Sequence, residues 1–240
     1  MQTFYAPKEN FTETSVTING EEHHHATRSC HVRKGEIIGV FDGCGKHVHA
    51  TIDNIDKKSL TAIIERDVSG AGEPDVEIII ALSVIKPSRF EIAVEKCTEI
   101  GVRTFVPVIS ERCAPNNARR LRIERLQKIA LEAAKQSKRS WIPEIVPPVA
   151  LGDFLTRTDG TILVASQNAE KKLENVFDSI KDIMKITLLI GPEGDFTDRE
   201  YDLMFEAGAI PFSMGGLILR SETAGIVAAS SIVSIFASDR

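Results

Sequence analysis

The sequence is poor in the features that mark several protein classes. Its four cysteines (Cys30, Cys44, Cys97 and Cys113) form no CxxC pair, which disfavours a disulfide framework or a zinc ribbon and points to reduced thiols. No apolar run approaches the roughly 18 residues that a membrane helix needs. The start, MQTFYAPKENF, lacks the charged-then-apolar profile of a signal peptide; a cytoplasmic protein is expected. Aromatic residues make up 6%, with a single tryptophan. Trp141 can stack a base, but a lone tryptophan more often packs. His23, His24, His25 and His31 have no neighbouring carboxylate or cysteine cluster to complete a metal shell. Adjacent histidines on a strand would also point to opposite faces, so no metal is expected. Neither an internal repeat nor a low-complexity tract is found.

What is present is ordinary in bulk: 42% hydrophobic and 26% charged residues in a chain of 240, enough for a small and a medium domain. The net charge of −5 hides an uneven distribution. Residues 112–139 hold nine lysines and arginines against Glu124 and Glu132. A phosphate-binding face and a solvated helix face explain that segment equally well on charge alone.

Residues 1–72 are expected to form a small β domain. The β-prone runs 36–41, 47–52 and 60–65 are separated by turn residues, with Asp42-Gly43-Cys44-Gly45 as a hairpin turn. Residues 69–74 read as a linker. From 73 to 240 strands alternate with helices, implying a largely parallel, helix-covered sheet. Strands are expected at 77–85, 104–109, 161–166, 186–191 and 209–214, and helices at 88–100, 117–138, 198–207 and 222–237. Asp198 and Ser221 are the expected caps of the last two helices, and Gly208 a helix stop. Small residues on the final helix (Ala224, Gly225, Ala228, Ala229) allow close backbone approach, within the fold or between subunits.

Two strand-to-helix turns carry the chemistry. In the first, an apolar strand runs into Gly191-Pro192-Glu193-Gly194-Asp195-Phe196. In the second, Met214-Gly215-Gly216 leads through Leu217-Ile218-Leu219 to Arg220-Ser221-Glu222. Ligands of open α/β sheets bind at such strand ends, where glycine lets them reach the backbone. A plain connection, with Arg220 pairing Glu222, is the alternative.

Together these segments resemble the paired signatures of the RsmE family, roughly IGPEGGF and LGxRILRTETA. Lys86-Pro87-Ser88-Arg89, Glu95–Val102, Pro107 and Ser110–Cys113 are similar to its KxxR…QKxTELGV…P…SERC stretch. Glu132–Arg139 with Pro143 resembles its EAAxQSxR…P block, and His25, Lys34–Glu36 and Phe41–Gly43 its amino-terminal region. Three positions depart: Asp195 replaces a usual glycine, Leu217 a frequent basic residue, and His31 an arginine.

The resemblance implies a PUA-like β-barrel (1–72) before a SPOUT domain (73–240) with a carboxy-terminal trefoil knot. It also implies a homodimer and an S-adenosylmethionine-dependent methyltransferase acting on N3 of a uridine in 16S ribosomal RNA, in isolation or in the assembled small subunit. The same fold also serves ribose 2′-hydroxyls or transfer RNA, and a silent RNA-binding protein is a further alternative. Cofactor contacts are expected from Ser166, Ile190, Gly191, Glu193, Gly194, Met214, Gly215 and Leu219. RNA contacts are expected from Arg28, His31, Arg33, Lys34, Arg89, Arg112, Arg119, Arg120 and Arg139. Uridine N3 is protonated at neutral pH, so Arg220 is expected to stabilise the anion and Glu222 to serve as base.

Overall fold

The computed structural model describes residues 1–236 apart from 115, 178, 179, 181 and 182. The chain divides into two compact units. The first is Met1–Glu73 together with Leu131–Ile142, and the second is Pro74–Ala130 together with the chain from Pro143. A single cut after residue 72 therefore leaves out a returning segment of the first unit.

In the first unit, β1 (Thr3–Tyr5), β2 (Ser15–Asn19), β3 (Ile37–Phe41), β4 (His47–Ile55) and β5 (Ser59–Asp67) form one sheet in the order β1-β3-β4-β5-β2. β1 and β2 are its two ends, so among the described residues no ladder closes it into a ring. Alternate residues are buried, as a half-buried strand requires: Val16 and Ile18 on β2, Val48, Ala50 and Ile52 on β4, Leu60 and Ala62 on β5. The β3–β4 turn forms because Asp42 Oδ1 accepts the amides of Cys44 (2.7 Å) and Lys46 (3.0 Å), while Gly43 and Gly45 take positive φ. Trp141 lies against this turn. A Cβ on Gly45 would meet its ring at 2.5 Å, so the indole acts here in packing.

The histidine cluster is not on a strand. Gly20–His24 is a helix, α1, running into a π-helical turn at His25–Ser29. Gly20 turns the chain at φ 60, and Glu21 and Glu22 in the first turn suit the positive helix end. His23 is buried, with Nε2 3.0 Å from the Asp56 carbonyl. Among the described residues no three His, Cys, Asp or Glu side chains cluster as a metal shell would.

The returning segment is fastened by charge. Lys135 Nζ lies 2.7 Å from both Glu22 and Glu132, and Arg139 lies 2.7 Å from Glu73. Arg139 is only 5% exposed. The expected RNA contact at Arg139 is thereby replaced by an internal ion pair.

The second unit holds β6 (Glu77–Ser83), β7 (Thr104–Ile109), β8 (Glu144–Ile145), β9 (Val149–Ala150), β10 (Thr161–Ala165), β11 (Lys185–Ile190) and β12 (Ile210–Phe212). They pair in the order β12-β10-β11-β6-β7-β8, with β9 also on β7, and every pairing is parallel. The helices are α2 (Pro87–Ile100), α3 (Asn117–Arg120), α4 (Ile123–Ser137), α5 (Leu151–Leu155), α6 (Leu173–Val176), α7 (Asp198–Glu206) and α8 (Ser221–Phe236). α4 crosses the boundary, since its residues from Leu131 belong to the first unit. The expected helix 117–138 is broken where Leu121 turns extended (ψ 117) and buries its side chain. Thr197, not Asp198, caps α7, in a capping box with Glu200. Ser221 is the first helical residue of α8; residue 237, expected in that helix, lies outside the described residues. Ala224, Gly225, Ala228 and Ala229 are buried on α8, which packs against α2 inside the unit. No helix of the described residues is long and apolar enough to cross a membrane.

Candidate active site

β12, β10 and β11 are adjacent and parallel, so their carboxyl ends share one edge of the sheet. That is why Ser166 after β10, the turn Gly191–Phe196 after β11 and the hook Met214–Arg220 after β12 converge, although they lie far apart in sequence. They enclose a cleft lined by Ser166, Ile190, Gly191, Glu193, Met214, Gly215 and Leu219. Asp195 within the first turn, Ser213 just before the second and Gln167 beside Ser166 also line it and were not expected as contacts. No lysine, arginine or histidine belongs to the lining among the described residues.

Gly194 is the exception among the expected cofactor contacts. It faces Arg112, whose Nη1 donates to the Gly194 carbonyl at 2.7 Å and to the Phe196 carbonyl at 3.2 Å. Arg112 thus fastens the turn. The turn is further held by a hydrogen bond from the Asp195 amide to the Pro192 carbonyl (2.9 Å). Asp195 adopts φ 60, the left-handed region that favours glycine but that aspartate tolerates. Its Oδ1 accepts from the Phe196 amide (2.8 Å) and the Tyr201 hydroxyl (3.0 Å). Burial, partly offset by a Ser166 hydrogen bond and aided by Asp195, pushes the Tyr201 phenol up to about 12.

Glu222 does not pair with Arg220. Arg89, at the start of α2, donates to Glu193 at 2.9 Å and lies 3.8 Å from Glu222 Oε1. The Glu222 side chain is 8% exposed, and its Oε2 has no hydrogen-bond partner among the described residues. Arg220 is exposed. Both flank the lining residues Leu219 and Ser221 without joining the lining themselves.

Of the other basic candidates, Arg28, His31, Arg33 and Lys34 are exposed on the first unit. Lys34 pairs with Asp53 (3.3 Å), and His31 takes φ 53. Within 112–139, Arg125 pairs with Glu91, whereas Arg119, Arg120 and Arg122 are exposed and form no ion pair among the described residues.

Comparison with known proteins gives the family. Residues 72–233 match the RNA methyltransferase domain, and residues 18–65 match the RNA methyltransferase PUA domain. The ribosomal RNA small subunit methyltransferase E of Synechocystis is 31% identical, over 96% of this chain and 76% of that protein. Its namesake from Aquifex aeolicus is 28% identical over 98% of each. A crystal structure of the Neisseria gonorrhoeae namesake, bound to S-adenosyl methionine, superposes with a TM-score of 0.86 at 30% identity, covering 98% of each chain. Sequence and fold agree, and the chain belongs to the ribosomal RNA small subunit methyltransferase E family.

Proposed function

We propose that this chain transfers a methyl group from S-adenosylmethionine to N3 of a uridine in 16S ribosomal RNA. The observation that carries the reading is the cleft at three parallel strand ends, walled by glycine turns and free of basic side chains in its lining among the described residues. Its residues fit that cofactor. No atom lies within 4 Å of where a Cβ on Gly215 or Gly216 would stand, so a flat heterocycle can approach that backbone. Ile190 and Leu219 offer apolar contact, and Asp195 suits a cation. The bound sulfonium supplies an activated methyl group.

The protein must then align the acceptor and receive a proton from N3. Glu222, with its buried, unpartnered Oε2, is the proposed proton acceptor. Arg220 stabilises the uridine anion through a base carbonyl. Arg89 and the exposed cations Arg28, His31, Arg33, Lys34, Arg119 and Arg120 hold RNA, the last two through phosphates. The proposal includes a homodimer, a trefoil knot formed by the carboxy-terminal segment, and action in the cytoplasm on the small subunit.

Nucleoside mass spectrometry of ribosomal RNA treated with the protein and S-adenosylmethionine tests this reading. N3-methyluridine is expected. A ribose-methylated nucleoside, or modification of transfer RNA alone, would overturn it.

A further inference from the structure

We infer that Asp195 makes the cleft select the cationic methyl donor over its uncharged-sulfur product, S-adenosylhomocysteine. The inference rests on the function proposed above. Two carboxylates line the cleft, Glu193 and Asp195. Glu193 is neutralised by Arg89 at 2.9 Å. Asp195 forms no ion pair among the described residues, so it is the uncompensated charge of a lining that holds no basic side chain.

Its carboxylate is also held in place. Oδ1 is fixed by the Phe196 amide and the Tyr201 hydroxyl at 2.8 and 3.0 Å, and it stands 3.1 Å from the position a Gly191 Cβ would occupy. That puts the group against the glycine wall of the cleft. Tyr201 is a neutral donor at physiological pH, as an ordinary phenol is, and burial pushes it further up to about 12.

The donor and the product share adenosine, ammonium and carboxylate; they differ by one methyl group and one positive charge on sulfur. A fixed, unpaired anion strengthens binding of the donor and leaves binding of the product nearly unchanged. A contact to the shared ammonium would affect both equally.

Asparagine tolerates φ 60 as aspartate does and keeps an oxygen for both hydrogen bonds, so Asp195→Asn removes only the charge. Calorimetric titration of the full chain with each compound reads the effect. Asp195→Asn is expected to weaken S-adenosylmethionine about tenfold while S-adenosylhomocysteine stays within about twofold. If the asparagine variant melts early, Asp195→Gly, which also suits the positive φ, carries the same test. Equal weakening of both compounds, or unchanged donor affinity, would overturn the inference. Failure of the unaltered protein to bind either compound would overturn the reading of the cleft itself.

Discussion

The two turns that build the cleft begin alike, each leaving the carboxyl end of a parallel strand, and end in opposite states. The Gly191–Phe196 turn is tied down from outside by Arg112 and Arg89 and from below by Tyr201, and Phe196 is buried. Among the described residues the Met214–Arg220 hook is tied by the Gly215 amide to Ser213 Oγ at 3.2 Å and, at its far end, by the Ala224 amide to the Arg220 carbonyl at 2.8 Å, and it leaves Leu217 84% and Ile218 80% exposed. One wall is therefore preorganised by the protein alone. The other keeps apolar surface in water, at roughly 25 cal/mol per Å², until something covers it.

Substitutions can break that contrast. The largest expected effect is at the end of the open hook. Arg220→Ala should slow methyl transfer about 100-fold or more, as when a transition-state donor is lost, with RNA affinity nearly unchanged in a filter-binding assay. A normal rate would remove Arg220 from the chemistry.

Next come the glycines. At Gly215 a side chain meets open space but the φ of 110 is strained, so Gly215→Val should cost cofactor affinity more than about tenfold, a loss above ~1.4 kcal/mol. At Gly191 a Cβ would press on Asp195 Oδ1 at 3.1 Å and Phe196 at 3.3 Å. Gly191→Val should lower the melting temperature by several degrees as well as weakening cofactor binding. Gly215→Val melts lower through its strained φ alone, so the discriminating result is an unaltered melting temperature for Gly191→Val, which would erase the distinction between a packed and an open wall.

A smaller effect tests the external tie. Arg112→Ala removes the donor to two turn carbonyls although Arg112 does not line the cleft. Cofactor affinity should fall about fivefold. An RNA-only phenotype would return Arg112 to phosphate binding. By contrast, exchanging Arg119, Arg120 and Arg122 for glutamine should touch neither turn. It should flatten the slope of log RNA affinity against log salt by up to about three units and leave cofactor titrations unchanged.

The smallest effect concerns the first unit. Burial, with His49 adding to it, lowers the pKa of His47 below its ordinary 6.5. The unfolded chain then binds the proton first, so the His47 contribution to stability is present above about pH 6.5 and lost as pH falls towards the folded pKa. Melts of the His47→Gln variant should show less acid sensitivity than the unaltered protein.

The second unit was legible because buried parallel strands read as near-continuous apolar runs, and because both glycine turns combine strand, glycine and helix start. The family resemblance added the cofactor and substrate that no periodicity encodes. Less legible were features set by distant partners. Arg139 looks like its basic neighbours until Glu73, 66 residues away, claims it. Leu121 breaks a helix whose polar pattern continues through it. β1 has three residues, too few to show alternation, and the histidines after β2 hide a helix. Asp195 is legible only as an odd residue at a glycine position; its φ and its tyrosine partner explain how aspartate is accommodated there.

The return of Leu131–Ile142 to the first unit has a consequence for the order of events at the ribosome. Glu22 and Glu73 are made early, but Lys135 and Arg139, which neutralise them, emerge more than sixty residues after Glu73. At roughly 5–20 residues per second the nascent sheet waits several seconds for the cations that complete it. Until then its carboxylates stay hydrated, because burying an unpaired charge costs about 3–5 kcal/mol. An amino-terminal fragment ending at residue 73 would be held permanently at that stage, so the unit that is begun first can finish only after residue 142 has been made.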